Sequence, residues 1–135
     1  MAVVLIVEDD EQVRVLAESV LQDAGHSVLA ATGVEGAQAL LEAHPEIEVL
    51  FIDVCLGGDI EAGLRVAQQA KADTPKLSVL YTTGGGLNAG MEAMFTDPYL
   101  FLPKPYNLEQ LNQAVALLVS SARPRRKLEL PPISN

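Results

Sequence analysis

The sequence predicts an α/β domain in which five parallel strands form one sheet with helices on both faces. Five short apolar runs alternate along the chain with five segments of helical periodicity, which is the pattern of repeated β-α units. Runs such as 3–7 and 49–52 contain no polar residue, as expected for strands that helices cover on both faces. A chain of 135 residues, 49% of them hydrophobic, is long enough to bury a core as one domain.

The first half of the chain predicts two β-α units. Residues 3–7 form a β-branched run without alternation, and the acidic stretch 8–11 ends it. Apolar residues at three- and four-residue steps then mark a helix over about 13–24, and Gly25 follows where a glycine C-cap belongs. A second strand is predicted at 27–31. The apolar residues of the next helix, which ends at His44-Pro45, are Val34, Ala37, Leu40 and Leu41.

The second half predicts three more units. The strand at 49–52 ends at Asp53, and a glycine-containing loop leads to a helix through residues 64–70. The strand at 77–82 runs into a polar, glycine-rich stretch, and a weakly marked helix follows near 87–95. The last strand is predicted at 99–102. The apolar residues of the final helix are Leu108, Leu111, Val115, Leu118 and Val119.

The composition argues against several classes of protein. A formal net charge of −9 argues against binding to nucleic acid. One cysteine excludes an intrachain disulfide and fits a reducing compartment. No apolar run reaches the ~20 residues that span a bilayer, and the first residues lack the basic segment of a signal peptide. The sequence therefore predicts a cytoplasmic protein without a membrane span.

The charge is distributed unevenly along the chain. Residues 1–122 carry 5 basic and 17 acidic side chains, a net charge of −12. The segment 122–135 contains three prolines, lacks a periodic apolar face, and holds four of the nine basic residues, which are Arg123, Arg125, Arg126 and Lys127. We therefore predict a domain at 1–121 and a flexible tail at 122–135.

Four of the predicted strands end at polar residues suited to phosphoryl chemistry. These residues are Glu8 and Asp9 after the first strand, Asp53 after the third, Thr83 after the fourth and Lys104 after the fifth. Ligands of open parallel sheets bind beyond the carboxyl ends of the strands, so we expect these side chains to meet at one edge. Clustered carboxylates repel one another unless a cation neutralises them, and oxygen-rich anionic sites suit Mg²⁺.

The residue types at this edge predict a phosphoryl-acceptor site. An ionised aspartate beside a bound metal ion can attack a phosphoryl group as a nucleophile, and Asp53 follows a wholly apolar strand. Lys104 is expected to pair with the transferred phosphate as a point charge. The hydroxyl of Thr83 is expected to donate to a phosphoryl oxygen, with Gly84 leaving room for that group.

The chain resembles the receiver domain of two-component response regulators, the chemotaxis-regulator-like family with a flavodoxin-like fold. The resemblance covers roughly residues 2–121. It is carried by the stretches Leu5–Asp10, Leu50–Asp53, Leu80–Gly84 and Phe101–Pro105. It implies a doubly wound sheet with the strand order 2-1-3-4-5 and five helices.

The resemblance also implies a role for each site residue. Asp53 becomes the phospho-acceptor. The implied Mg²⁺ ligands are Glu8, Asp9, Asp53 and the backbone carbonyl of Cys55. Thr83 becomes the switch hydroxyl, with Phe101 at the aromatic switch position. Lys104 pairs with the phosphate, and the Lys104-Pro105 peptide bond is expected to be cis.

The resemblance implies a signalling module rather than a turnover enzyme. Because only the segment 122–135 follows the last predicted helix, we expect the module to stand alone. A histidine kinase or a histidine phosphotransfer protein would phosphorylate Asp53, and a downstream protein target would respond. The module is expected to be a monomer or weak dimer that makes no direct contact with nucleic acid. The alternative is a degenerate receiver that binds proteins without phosphorylation.

Two further classes compete less well. A phosphatase with an aspartyl nucleophile usually carries a second aspartate two residues later, where this chain has Cys55. A mononucleotide-binding flavodoxin-like protein needs a first loop that cradles phosphate, and the acidic stretch 8–11 would repel it.

The sequence departs from the family pattern around the acceptor. Gly57 occupies a position where the family often has proline, which predicts a more flexible acceptor loop over 54–61. The run Gly84-Gly85-Gly86 predicts a second mobile loop. Cys55 and Gly85 occupy positions whose side chains tune the hydrolytic water in this family, and neither orients water well. We therefore expect slow self-dephosphorylation.

Overall fold

The computed structural model describes residues 2–85 and 87–120 of the chain. The strands are β1 (Val3–Val7), β2 (Ser27–Ala31), β3 (Val49–Asp53), β4 (Ser78–Thr83) and β5 (Tyr99–Pro103). The helices are α1 (Glu11–Asp23), α2 (Val34–Ala43), α3 (Ala62–Asp73), α4 (Ala89–Ala93) and α5 (Leu108–Ser120). Every predicted strand and helix is present. The predicted tail at 122–135 and Gly86 of the glycine run lie outside the described residues.

The helix α4 is shorter than the segment that the sequence predicts for it. The side chain of Asn88 accepts a hydrogen bond from the amide of Met91 at 2.8 Å, so the helix begins at residue 89. At the other end, the amide of Thr96 donates to the hydroxyl of Tyr81 at 3.1 Å, which holds the chain beside β4. These two side-chain contacts confine α4 to five residues. Within the described residues, no helix combines the length and apolarity needed to cross a bilayer.

The five strands form one parallel sheet in the order β2-β1-β3-β4-β5, as predicted. The chain moves outward from β1 to β2 and then returns to pair β3 on the other side of β1. The connections therefore pass over opposite faces of the sheet, and a crevice opens where β1 and β3 end. The predicted site residues follow these two strands and their neighbours.

Each face of the sheet has its own buried core. On one face, Leu5 and Val7 pack with buried residues of α2, α3 and α4. On the other face, Val4 and Ile6 pack with buried residues of α1 and α5. Successive side chains of a strand point to opposite faces, so the continuous apolar runs in the sequence reflect coverage on both sides.

The alternation of side chains along the strands decides which site residues share a face. Glu8, Asp53 and Lys104 each lie two positions beyond a residue of the α1/α5 core. Those three core residues are Ile6, Phe51 and Leu102. Thr83 lies two positions beyond Tyr81, which belongs to the opposite core. Because side chains alternate along a strand, Glu8, Asp53 and Lys104 lie on the α1/α5 side of the sheet. Thr83 lies on the opposite side.

A close approach between α3 and β3 limits the residue at position 63. A Cβ atom added to Gly63 would lie 2.0 Å from the carbonyl oxygen of Asp53 and 2.8 Å from the Cα of Val54. The amide of Gly63 also donates to the carbonyl of Val54 at 2.8 Å. The start of α3 thus packs directly against the backbone of the candidate acceptor, and only glycine fits there.

We predict that Gly63→Ala lowers the free energy of unfolding by at least about 2 kcal/mol, because a methyl group cannot occupy space held by backbone atoms. Urea unfolding measures this free energy. The matched control is Gly36→Ala in α2, whose new Cβ would lie 3.4 Å from the Cβ of Ala31. That variant should be as stable as the wild type or more stable by up to about 1 kcal/mol. Equal stability of the two variants would contradict the close approach.

Candidate functional site

Three carboxylates converge in the crevice between the ends of β1 and β3. Oxygen atoms of Glu8, Asp9 and Asp53 all lie within 4.8 Å of one another. Glu8 and Asp53 are buried, with 3% and 5% of their surface exposed, whereas Asp9 is exposed. Like charges this close destabilise one another unless a cation or a proton intervenes.

Lys104 supplies a cation to this cluster. Its Nζ lies 2.8 Å from Oε1 of Glu8 and 2.8 Å from Oδ2 of Asp53. Burial alone would lower the pKa of Lys104, but hydrogen bonds to Asp53 and Glu8 outweigh burial and raise it. The ammonium group therefore stays charged and bridges the two buried carboxylates. The Lys104-Pro105 peptide bond that follows is cis, as expected, and the Asp97-Pro98 bond is also cis.

Glu8 has an environment unlike that of the other two acids. Burial raises the pKa of its carboxyl group, although hydrogen bonds from Lys104 and from the amide of Asp10 oppose that rise. The Asp10 amide donates to Oε2 at 3.1 Å, while the side chain of Asp10 caps α1 through the amide of Val13. Burial and the charge of Glu8 also raise the pKa of Tyr106 to about 12. The Glu8 carboxyl group is thus shielded from solvent.

The loop after β3 holds the other two carboxylates through its backbone. The amide of Cys55 donates to Oδ1 of Asp53 at 3.0 Å. The amide of Gly57 donates to Oδ2 of Asp9 at 3.0 Å. Both oxygens of Asp53 therefore have partners, since Lys104 pairs with the second. This arrangement fixes the Asp53 carboxylate in one orientation at the strand end.

Thr83 reaches the same edge but contacts its own loop. Its hydroxyl accepts a hydrogen bond from the amide of Gly85 at 3.2 Å, and its carbonyl accepts one from the amide of Lys104 at 3.1 Å. The structure therefore brings Lys104 into side-chain contact with Glu8 and Asp53, and it links Thr83 to them through the backbone of β5. Alternation along β4 explains why the hydroxyl faces the other core.

Phe101, at the predicted aromatic switch position, belongs to an aromatic cluster. It is half-buried, with its ring centroid 6.1 Å from that of Phe95. Phe95 in turn stacks on the buried ring of Tyr81 at 4.1 Å and meets Tyr99 edge-on at 5.1 Å. The cluster connects β4 and β5 with the segment that follows α4. A rotation of the Phe101 ring would therefore alter its packing against Phe95.

The donor set suits a hard divalent cation. Glu8, Asp9 and Asp53 offer carboxylate oxygens, the ligands that Mg²⁺ prefers. Exposure of Asp9 leaves one side of the cluster open to water molecules, which Mg²⁺ usually retains. The residues present therefore fit the predicted ion. The predicted fourth ligand, the carbonyl of Cys55, belongs to the loop that carries the Asp53-binding amide.

Three contributions to the site were missed from the sequence. The amide of Gly57 binds Asp9, the backbone at Gly63 packs on Asp53, and a guanidinium nitrogen of Arg14 donates to the carbonyl of Glu8 at 3.1 Å. Gly63 lies just before residues 64–70, which marked the predicted helix, so the periodicity did not indicate its close packing. Contacts of a backbone amide, such as that of Gly57, cannot be predicted from the residue type, because every residue except proline has an amide N–H.

Comparison with known proteins agrees with the fold. Residues 4–116 match the family described as the response regulator receiver domain. The nitrogen assimilation regulatory protein NtrX of Azorhizobium caulinodans is 28% identical over 126 residues, which cover 93% of this chain and 28% of that protein. The sensor kinase CckA of Brucella abortus is 30% identical over 116 residues, which cover 84% of this chain and 12% of that protein. The chain thus spans less than a third of the length of these relatives.

Solved structures share the architecture over most of the chain. The response regulator receiver protein from Sinorhizobium medicae superposes with a TM-score of 0.80 at 24% identity, covering 89% of this chain and 95% of that one. At that identity the likeness shows the fold alone. The receiver domain of the hybrid histidine kinase CckA gives a TM-score of 0.75 at 26% identity, covering 88% and 100% of the two chains. The family match over residues 4–116, together with the sheet order, shows that this chain belongs to the response regulator receiver domains of two-component signalling.

Proposed function

We propose that Asp53 accepts a phosphoryl group from a phosphohistidine, with Mg²⁺ held by Glu8, Asp9, Asp53 and the carbonyl of Cys55. The observation that carries this proposal is the fixed carboxylate of Asp53. Its two oxygens are held by the Cys55 amide at 3.0 Å and by the Lys104 ammonium at 2.8 Å. A nucleophile held in one orientation, beside a cationic group, is what phosphoryl transfer requires.

The transfer exchanges one bond to phosphorus for another. A carboxylate oxygen of Asp53 forms a bond to phosphorus, and the bond between phosphorus and the imidazole nitrogen of the donor breaks. The released nitrogen keeps the electron pair of the broken bond, and the imidazole leaves as the neutral ring because its other nitrogen carries the proton. When bound, Mg²⁺ supplies positive charge that offsets the carboxylates and the phosphoryl oxygens.

The chain's own residues account for the other requirements. Lys104 already lies beside Asp53, and its ammonium can pair with a phosphoryl oxygen once the group arrives. The Thr83 hydroxyl must turn from Gly85 toward the phosphoryl group to donate to it. Its movement would open space on the side of Tyr81, next to Phe101 in the β4–β5 register. Such a movement is the proposed source of the signal that a downstream protein target detects.

An apolar groove beside Lys104 supports contact with a protein phosphodonor. Its volume is about 400 Å³, and its lining residues are Val13, Leu16, Gly84, Lys104, Pro105 and Tyr106. Leu16 and its neighbour Val15 are each 53% exposed. A donor protein has to cover this rim to bring a phosphohistidine to Asp53. We propose that a histidine kinase or a histidine phosphotransfer protein binds here.

The proposed setting of the chain follows from the sequence-based expectations. The residues at 1–121 act as the receiver, in the cytoplasm, as a monomer or weak dimer. Its assistance to its own phosphorylation and dephosphorylation does not make it a turnover enzyme on external substrates. Stand-alone action stays a prediction, because the relatives named above are several times longer than this chain.

We predict that incubation with acetyl phosphate and Mg²⁺ adds one phosphoryl group to the wild-type chain, measured as intact mass. Asp53→Asn should remain unmodified because the amide is not a nucleophile. The matched control is Asp73→Asn at the end of α3, which should be modified like the wild type. Absence of modification with every donor would favour the degenerate receiver. Equal modification of Asp53→Asn would refute Asp53 as the acceptor.

We predict that Lys104→Met lowers the free energy of unfolding by about 3 kcal/mol in EDTA, because two buried carboxylates lose their shared cation. Saturating Mg²⁺ should recover part of this loss, as a second cation at the same cluster. Urea unfolding with and without Mg²⁺ measures both effects. Lys71→Met is the control, since Lys71 donates to the carbonyls of Pro75 and Leu77 away from the site. Recovery by Mg²⁺ in both variants alike would argue against a shared cluster.

We predict that the phosphorylated chain loses its phosphoryl group slowly, with a half-life of minutes or longer. A thiol is a weak hydrogen-bond donor, and Gly85 has no side chain, so neither orients the attacking water. Cys55→Asn should shorten the half-life, because an amide both donates to water and accepts from it. Decay of the intact mass after removal of the donor measures the rate. A half-life of seconds in the wild type would exclude slow self-dephosphorylation.

A further inference from the structure

The acceptor loop contains a tight turn centred on two glycines. Leu56 and Asp59 exchange backbone hydrogen bonds of 3.1 Å in both directions. Between them, Gly57 and Gly58 adopt φ values of +59° and +83°. Two consecutive left-handed residues are the signature of a turn that glycine and asparagine tolerate best. In such a turn the amide of the first central residue has no partner inside the turn.

That outward amide binds a side chain from another strand end. The N–H of Gly57 donates to Oδ2 of Asp9 at 3.0 Å, across a sequence separation of 48 residues. Asp9 is exposed, unlike the buried Glu8 and Asp53 beside it. An exposed aspartate loses rotamer freedom when a fixed donor holds one of its oxygens. The Gly57 amide therefore holds the most exposed of the three carboxylates.

The turn itself is anchored at its far end. The side chain of Asp59 accepts a hydrogen bond from the amide of Glu61 at 3.0 Å and forms an ion pair with Arg65 of α3. At the near end, the amide of Cys55 donates to Asp53. The Gly57 amide thus belongs to a segment held at both sides. These contacts fix the position from which the Gly57 amide donates to Asp9.

We propose that the Gly57 amide is a positioning group for cation binding by Asp9, and that it couples the acceptor loop to the cation. It holds Oδ2 and leaves Oδ1 for the ion, as outer hydrogen bonds do for carboxylates that ligate metals. Coupling of this kind is reciprocal, so the bound cation also stabilises the turn. The inference rests on the proposed function for the identity of the cation, Mg²⁺.

The first test reads the contact without altering the loop. Amide hydrogen exchange at Gly57 is followed by NMR in the full chain in EDTA. Asp9→Ala should accelerate this exchange by about fivefold, the loss of one hydrogen bond. Asp9→Asn keeps an acceptor oxygen and should exchange like the wild type. Identical exchange at Gly57 in the wild type and in Asp9→Ala would overturn the proposal.

The second test measures the Mg²⁺ dissociation constant by NMR titration. Gly57→Pro removes the N–H and, because proline fixes φ at a negative value, also the positive φ of the turn; it should weaken binding about tenfold. Gly57→Asn keeps the N–H and tolerates positive φ, so it should bind within about twofold of the wild type. Equal or tighter binding by Gly57→Pro would overturn the positioning role, as would equal weakening by both variants. The exchange test still decides the matter if Gly57→Pro fails to fold.

Failure of this inference is separable from failure of the proposed function. If the wild type accepts a phosphoryl group at Asp53 with Mg²⁺ while Gly57→Pro binds Mg²⁺ equally well, the positioning role alone is wrong. If the wild type binds no Mg²⁺ at all, the positioning role and the metal-dependent function are both wrong.

Discussion

The bridge from Lys104 to Glu8 and Asp53 is the interaction on which the site depends. Its two contacts of 2.8 Å join the ends of β1, β3 and β5 across the sheet. Breaking such a bridge leaves buried charge without a partner, although an intact buried ion pair adds little net stability. The bridge therefore contributes more to the relative positions of Glu8, Asp53 and Lys104 than to the stability of the domain. It keeps Asp53 oriented and close to the acids that suit a metal ion.

Backbone groups build much of the rest of the site. Amides of Cys55 and Gly57 hold Asp53 and Asp9, and the backbone at Gly63 packs against Asp53. The acceptor loop was predicted to be flexible because Gly57 occupies a position where the family often has proline. That flexibility stays a prediction. Glycine at position 57 supplies the N–H that binds Asp9, whereas proline has no N–H to donate.

Much of the fold and of the site was predictable because both follow from short-range periodicity. Unbroken apolar runs such as 49–52 predicted doubly covered strands, and both cores of the sheet agree. Parallel strands end at one edge, so Glu8, Asp53 and Lys104 were expected to meet there. The same period of two explains why Thr83 faces the other core, a consequence that is readable from the sequence once the strand bounds are known.

The resemblance to receiver domains was sufficient for the strand order. Residue types and their spacing along the chain were sufficient to predict the acid cluster and the lysine beside it. They were not sufficient for the contacts of Gly57, Gly63 and Arg14, or for the stack of Phe95 on Tyr81. The burial pattern of a strand or helix depends on neighbouring residues, so it can be predicted from a short stretch of sequence. A hydrogen bond across 48 residues depends on backbone torsions in a turn and on how two strand ends are placed. Those quantities exist only after the sheet has assembled.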